Sequence, residues 1–96
     1  MAMSHNGLVK VSEECAEVIQ VAQKMIAYPQ LQLSEGILSS GLHPDGTCLR
    51  DQLEDELGDA LAAITFVAEK LRLDKERMTA RLVHKLGLFR QWDNEP

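Results

Sequence analysis

Apolar residues recur every three or four positions in two long stretches of this chain, and each stretch carries a pair of acids in the same relation to its apolar stripe. In the first stretch Val11, Cys15, Val18, Ala22 and Met25 hold the period, flanked by Ile19 and Ile26. In the second it is held by Leu53, Leu57, Ala60, Ile64, Val67 and Leu71. Such spacing is the signature of a helix that buries one face. Strict apolar-polar alternation of the kind a half-buried strand shows is found nowhere. The sequence therefore reads as all-α: an antiparallel helical bundle of three long helices plus a short helical segment.

The first helix is expected from about Leu8 to Ala27, with Asn6 or Ser4 as its cap, and Cys15 belongs to its apolar core face. Tyr28-Pro29 should end it, because proline disfavours helical geometry in the residue before it. Leu31, Leu33, Ile37 and Leu38 suggest one or two further helical turns, and His43-Pro44-Asp45-Gly46 has the chemistry of an exposed turn. A second helix is expected from about Leu49 to Leu73, where Asp51 and Glu54 suit the positive end of the helix dipole. Asp74 is a good cap for a third, running from Lys75 to about Arg90, with Met78, Leu82, Leu86 and Phe89 along one side. The tail from Asp93 to Pro96 should fray.

Ninety-six residues make one domain, spanning 1–96, and a chain this short buries only a modest core. Association into a homodimer or homotetramer is the expected remedy. Only 4% of residues are aromatic, which points to an aliphatic core. The formal charge of −5, with no basic stripe to offset it, argues against nucleic acid or an anionic membrane as partner. Two cysteines are too few for a disulfide framework, and they stand in no zinc-type spacing. Residues 1–10 lack a signal-peptide core, and no apolar run approaches the ~20 residues of a membrane span. A soluble, cytoplasmic protein is the expectation.

The acids are set out as Val11-x-x-Glu14-Cys15-x-Glu17-Val18 and Leu53-x-x-Glu56-Leu57-x-Asp59-Ala60. At about 100° per residue, Glu14 falls about 60° from Val11 and Glu17 about 120°, and Glu56 and Asp59 stand at the same angles from Leu53. Packing the two helices stripe to stripe would bring four carboxylates to one edge. Like charges so close must be neutralised by protons or by a cation. Four carboxylates suit a hard divalent ion, Mg²⁺ or Mn²⁺, which keeps open positions for water and phosphate oxygens. The lack of histidine in both stretches counts against zinc and against a di-iron bundle, which wants Glu-x-x-His. Acids on helices are also commonly plain solvated charges, the natural reading of Glu13, Glu54 and Asp55. The competing function is a non-enzymatic acidic helical interaction module that binds a basic partner or a structural cation. Gly58, between two of the acids, either permits close helix approach or is a tolerated weak spot.

Glu13-Glu14-Cys15-Ala16-Glu17 and Glu56-Leu57-Gly58-Asp59 resemble the E-E-x-x-E and E-x-x-D motifs of the MazG-like, all-α nucleoside triphosphate pyrophosphohydrolases. The resemblance runs from about Leu8 through Trp92, and it departs from shorter family members in the long separation of the motifs, which makes 29–47 an enlarged connection. It implies Mg²⁺-dependent cleavage of a nucleoside triphosphate to monophosphate and pyrophosphate. Carried over, it implies Glu14, Glu17, Glu56 and Asp59 as metal ligands, with Glu13 as a supporting catalytic group; one of the acids, with Glu17 the candidate, would take a proton from water. Lys85 matches a lysine that recurs in the family, and Arg81 lies one turn before it. Lys24, about two turns beyond Glu17, is a further candidate for the substrate, as is Trp92 for stacking on a base across a subunit boundary.

Overall fold

The computed structural model describes residues 2–28 and 46–93, which form three α-helices and no strand. They are α1 (Ala2–Ala27), α2 (Leu49–Lys70) and α3 (Lys75–Asp93). The all-α expectation holds. The expected helical turns around Leu31 to Leu38 and the turn at His43 lie outside the described residues.

α1 and α2 pack against each other along their length. They run antiparallel: Gly7, early in α1, meets Val67, late in α2, and the acids midway along each helix face one another. The face that α1 turns to α2 is Gly7, Val11, Glu14, Val18 and Val21, and α2 answers with Leu49, Leu53, Glu56, Ala60, Ala63 and Val67. Both follow a strict alternation of three and four, the seam of two helices packed at a shallow angle. The expected stripe lay about 100° to one side of this at two positions. Cys15 is exposed rather than core, and Leu57 is 44% exposed. Each directly follows a seam carboxylate, so a count of apolar residues assigns to the interior the neighbour of the residue that is there.

Gly7 is what lets the helices close at that end. A Cβ there would stand 3.1 Å from Val67 Cγ2, so the missing side chain sets the helix separation. Gly58 has no such duty, since a Cβ on it would meet nothing within 4 Å. The expected caps Ser4 and Asn6 both lie inside α1, which begins upstream at Ala2.

α2 ends at Lys70, three residues before the expected Leu73. The N–H of Leu73 donates to the Ala68 carbonyl at 2.9 Å and that of Arg72 to the Glu69 carbonyl at 3.2 Å, the paired bonds of a Schellman turn. Arg72 holds the left-handed position of that turn at φ 52°, where glycine is the usual occupant. Asp74 then caps α3 as expected, its Oδ1 accepting from the Arg77 N–H at 3.0 Å. α3 continues to Asp93, three residues past the expected end.

Burial is uneven among these helices. The buried apolar residues are Val21, Leu49, Ala60, Ala63, Val67 and Ala68, all in α1 or α2 and half of them alanine. α3 buries none of its residues, and Met78, Leu82, Leu86 and Phe89 stand exposed along one of its sides. Its first turns flank an apolar groove lined by Ile64, Ala68, Met78 and Leu82. Among the described residues, no helix is long and apolar enough to cross a membrane.

Candidate metal centre

The antiparallel register puts the midpoint of α1 opposite the midpoint of α2, and both midpoints are acidic. Glu14, Glu17, Glu56 and Asp59 each offer a carboxylate oxygen, and these four atoms lie within 4.8 Å of one another. Glu14 and Glu56 occupy seam positions and are half-buried, while Glu17 and Asp59 border the same spot from the exposed side. Glu14 Oε2 and Glu56 Oε2 are shielded from solvent and have no hydrogen-bond partner. Orphaned carboxylate oxygens at a helix seam are costly unless something binds them.

Their protonation reflects the crowding. Burial, followed by the charges of Glu17 and Asp59, raises the Glu14 carboxyl above its ordinary value, and Lys10 one turn away offsets part of this. Glu56 is raised as well, first by its hydrogen bond with Glu17, then by burial and by the charges of Glu17, Asp59 and Glu14. Both groups are short of positive charge in their surroundings. A divalent cation bridging the four acids would supply it and would give both orphaned oxygens a partner. The donor set, carboxylates alone, fits Mg²⁺ or Mn²⁺.

The other candidate residues are distributed less compactly. Glu13 is exposed and outside the cluster, with its Oε2 3.4 Å from the Lys10 ammonium. Lys24 is half-buried in the last turn of α1, beyond Val21. Arg81 lies on α3 beside Arg77 and His84. Lys85 and Trp92 lie farther along the same helix, around an open concavity shared with Leu88, Phe89 and Gln91. Phe89 and Trp92 stack there with ring centroids 6.4 Å apart, and Trp92 is 73% exposed. The structure thus gathers the four acids within one chain, and leaves Arg81, Lys85 and Trp92 on the helix that buries nothing.

Two residues the sequence reading passed over border the site. Lys10 lies one turn before Glu14 on the same face of α1, a relation visible in the i, i+4 spacing. Gln52 lies one turn before Glu56, with its Oε1 buried and unpaired.

No curated protein and no solved structure gives a significant match to the chain. The family profile of the MazG nucleotide pyrophosphohydrolase domain does, over residues 4–88, a span that includes all of α2 and all four clustered acids. With that span matched and the acids of its two motifs drawn together across one seam, the chain belongs to the MazG nucleotide pyrophosphohydrolase family.

Proposed function

We propose that this protein is a Mg²⁺-dependent pyrophosphohydrolase that cleaves a nucleoside triphosphate, or its deoxy form, to the monophosphate and pyrophosphate. Family membership supports the reaction class. The observation that carries the metal is the pair of orphaned, solvent-shielded oxygens on Glu14 and Glu56, within a cluster of four carboxylates.

In this reading Glu14, Glu17, Glu56 and Asp59 hold Mg²⁺, with Mn²⁺ as a substitute. When bound, the ion would polarise the phosphoryl oxygens and lower the pKa of a coordinated water. The chain's own residues supply the rest. Water adds to phosphorus, the anhydride bond between the α and β phosphates breaks, and pyrophosphate leaves. Glu17, on the exposed side of the cluster, takes the proton that the water gives up. Glu13 supports the site through its ion pair with Lys10. Lys24, Arg81 and Lys85 balance phosphate charge, and Trp92 stacks on the base.

Arg81, Lys85 and Trp92 reach the acids most simply from a second copy. α3 is a 19-residue helix with no buried residue, and a lone helix of that length is marginal in water. Its exposed apolar side would be covered in a homodimer or homotetramer. The reading places the protein in the cytoplasm with its triphosphate substrates.

The test is to incubate the purified protein with a panel of common and modified nucleoside triphosphates and Mg²⁺, and to separate the products by anion-exchange chromatography. Monophosphate and pyrophosphate in equal amounts are expected. Diphosphate with inorganic phosphate, or no product from any of the panel, would overturn the proposal.

A further inference from the structure

The line of acids on α2 continues one turn toward the start of that helix. At about 100° per residue, Gln52, Glu56 and Asp59 fall within about 60° of one another, so the three share one edge of α2. Gln52 and Glu56 stand four apart, the spacing at which helical side chains meet. Gln52 is half-buried, and its Oε1 is shielded from solvent with no hydrogen-bond partner among the described residues. Glu14 Oε2 and Glu56 Oε2 share that condition, and no other side-chain atom of a buried or half-buried described residue does. The unsatisfied polar atoms are thus gathered at one stretch of the α1–α2 seam, and all three are acceptors.

The seam differs on the two sides of the acids. Toward the start of α1 it opens into a concavity of about 380 Å³, lined by Lys10, Glu14, Asp59, Ala62, Ala63 and Phe66. Toward the end of α1 it is closed by Val21 and Leu49, 2% and 0% exposed, and Leu49 lies three residues before Gln52. Gln52 therefore sits on the side that bulk water does not serve, where an acceptor left without a donor is costly. A carboxylate there answers the lack by taking up a proton, whereas a carboxamide oxygen does not titrate in the physiological range. Its donor has to come from another group. Mg²⁺ keeps several of its waters when carboxylates bind it, and those waters are donors.

We infer that Gln52 is an outer hydrogen-bond acceptor of the metal centre: its carboxamide oxygen accepts from a water on the ion that Glu14, Glu17, Glu56 and Asp59 hold. Gln52 is then a positioning residue, which touches neither the ion nor the substrate. By fixing a coordinated water it holds the ion in place between the two helices, the part that outer partners play at metal sites. The residue type follows from the crowding. A fifth carboxylate at this point would add to the repulsion among the four acids, and an apolar side chain would give the water nothing to donate to. A carboxamide offers an acceptor with no charge. The inference rests on the Mg²⁺ reading above, and it adds a neutral fifth residue on the closed side of the seam.

The experiment is calorimetric titration of the full chain with Mg²⁺ alone, beside thermal denaturation in chelator, for wild type, Gln52→Met and Gln52→Glu, with helicity checked by circular dichroism. Gln52→Met keeps the length of the side chain and removes the acceptor. It should weaken Mg²⁺ binding about tenfold or more, as loss of an outer partner does, and should melt no lower than wild type in chelator, where the oxygen it removes has no donor. Gln52→Glu keeps an acceptor and adds a charge. It should bind Mg²⁺ at least as tightly as wild type and melt lower in chelator. A residue that serves packing alone would not give this crossed pattern. Unchanged Mg²⁺ affinity in Gln52→Met, a tenfold loss in Gln52→Glu as well, or a lower melting temperature of Gln52→Met in chelator would overturn the role of Gln52. Wild type that binds Mg²⁺ while Gln52→Met binds it equally well refutes that role alone. Wild type that binds no Mg²⁺ refutes the metal reading and the role of Gln52 with it.

Discussion

Glu14 and Glu56 face each other across the α1–α2 seam with carboxylate oxygens within 4.8 Å, and each keeps one shielded oxygen without a partner. Both stand where a helix pair normally places leucine or valine. The chain therefore carries charged groups inside its own packing surface, and under the proposed function stability and activity are set in opposition at these two residues.

Glu56→Gln should separate them. The amide removes a charge from a crowded cluster, so in chelator the variant should melt at a higher temperature than wild type. Under the proposed function it also removes a metal ligand, so turnover should fall about 100-fold or more, beyond the 10- to 100-fold that follows from altering only the groups behind a ligand. Thermal denaturation and pyrophosphate release on the same preparations check both halves. Lower stability in chelator, or retained turnover, would remove Glu56 from the site.

The same crowding predicts a pH dependence. The Glu14 and Glu56 carboxyls are raised above the ordinary 4.5, so protons bind the folded metal-free chain more readily than the unfolded one. Their stabilising contribution is complete below 4.5 and is lost as the pH rises through the folded-state values. In chelator, the melting-temperature gap between Glu56→Gln and wild type should be small near about pH 4 and should widen in the variant's favour toward about pH 8. Mg²⁺ should stabilise wild type increasingly over the same range. A gap that narrows as pH rises would contradict the cluster.

Two glycines at helical positions should respond oppositely to added side chains. Gly7 faces Val67 at a distance that leaves no room for bulk, so Gly7→Leu should force the helices apart and cost about 1–3 kcal/mol. Gly58 has open space around its Cβ position, so Gly58→Ala should gain up to about 1 kcal/mol from helix propensity. Chemical denaturation measures both.

Arg72 occupies a left-handed position that suits glycine better. Arg72→Gly should therefore stabilise the α2–α3 turn by about 1 kcal/mol, read as a rise in denaturation midpoint.

The exposed side of α3 gives a prediction about assembly. Leu82→Glu and Phe89→Glu place charge on its apolar side and should shift the protein toward monomer in sedimentation equilibrium. Helicity should fall with association, because α3 has no buried residue within one chain to hold it. An assembly state unaffected by either change would exclude this face as the contact.

Much of this was legible in the residues. Helix period, the Asp74 cap and the break at Leu73 are local signals, and local hydrogen bonds produced them. Matched spacing made the meeting of Glu14, Glu17, Glu56 and Asp59 readable, since two antiparallel helices packed at their midpoints bring equivalent positions together. What apolar patterning misplaced was the seam itself. Cys15 and Leu57 look like core because Glu14 and Glu56, the true seam residues, are acids and enter no hydrophobic count. Gly7 was equally hidden, because its role depends on where Val67 falls on another helix. Likewise, the meeting of Lys10 and Glu14 with Asp59 and Phe66 around one concavity depends on how α1 and α2 pack side by side.

Pyrophosphate release by wild type, followed as Mg²⁺ is raised from full chelation to saturation with the most active triphosphate, tests the four-acid metal centre most directly. Release should be absent in chelator, rise with Mg²⁺ to a plateau, and be lost at every Mg²⁺ concentration in Glu56→Gln. Release that persists in chelator, or that survives in Glu56→Gln, would contradict it.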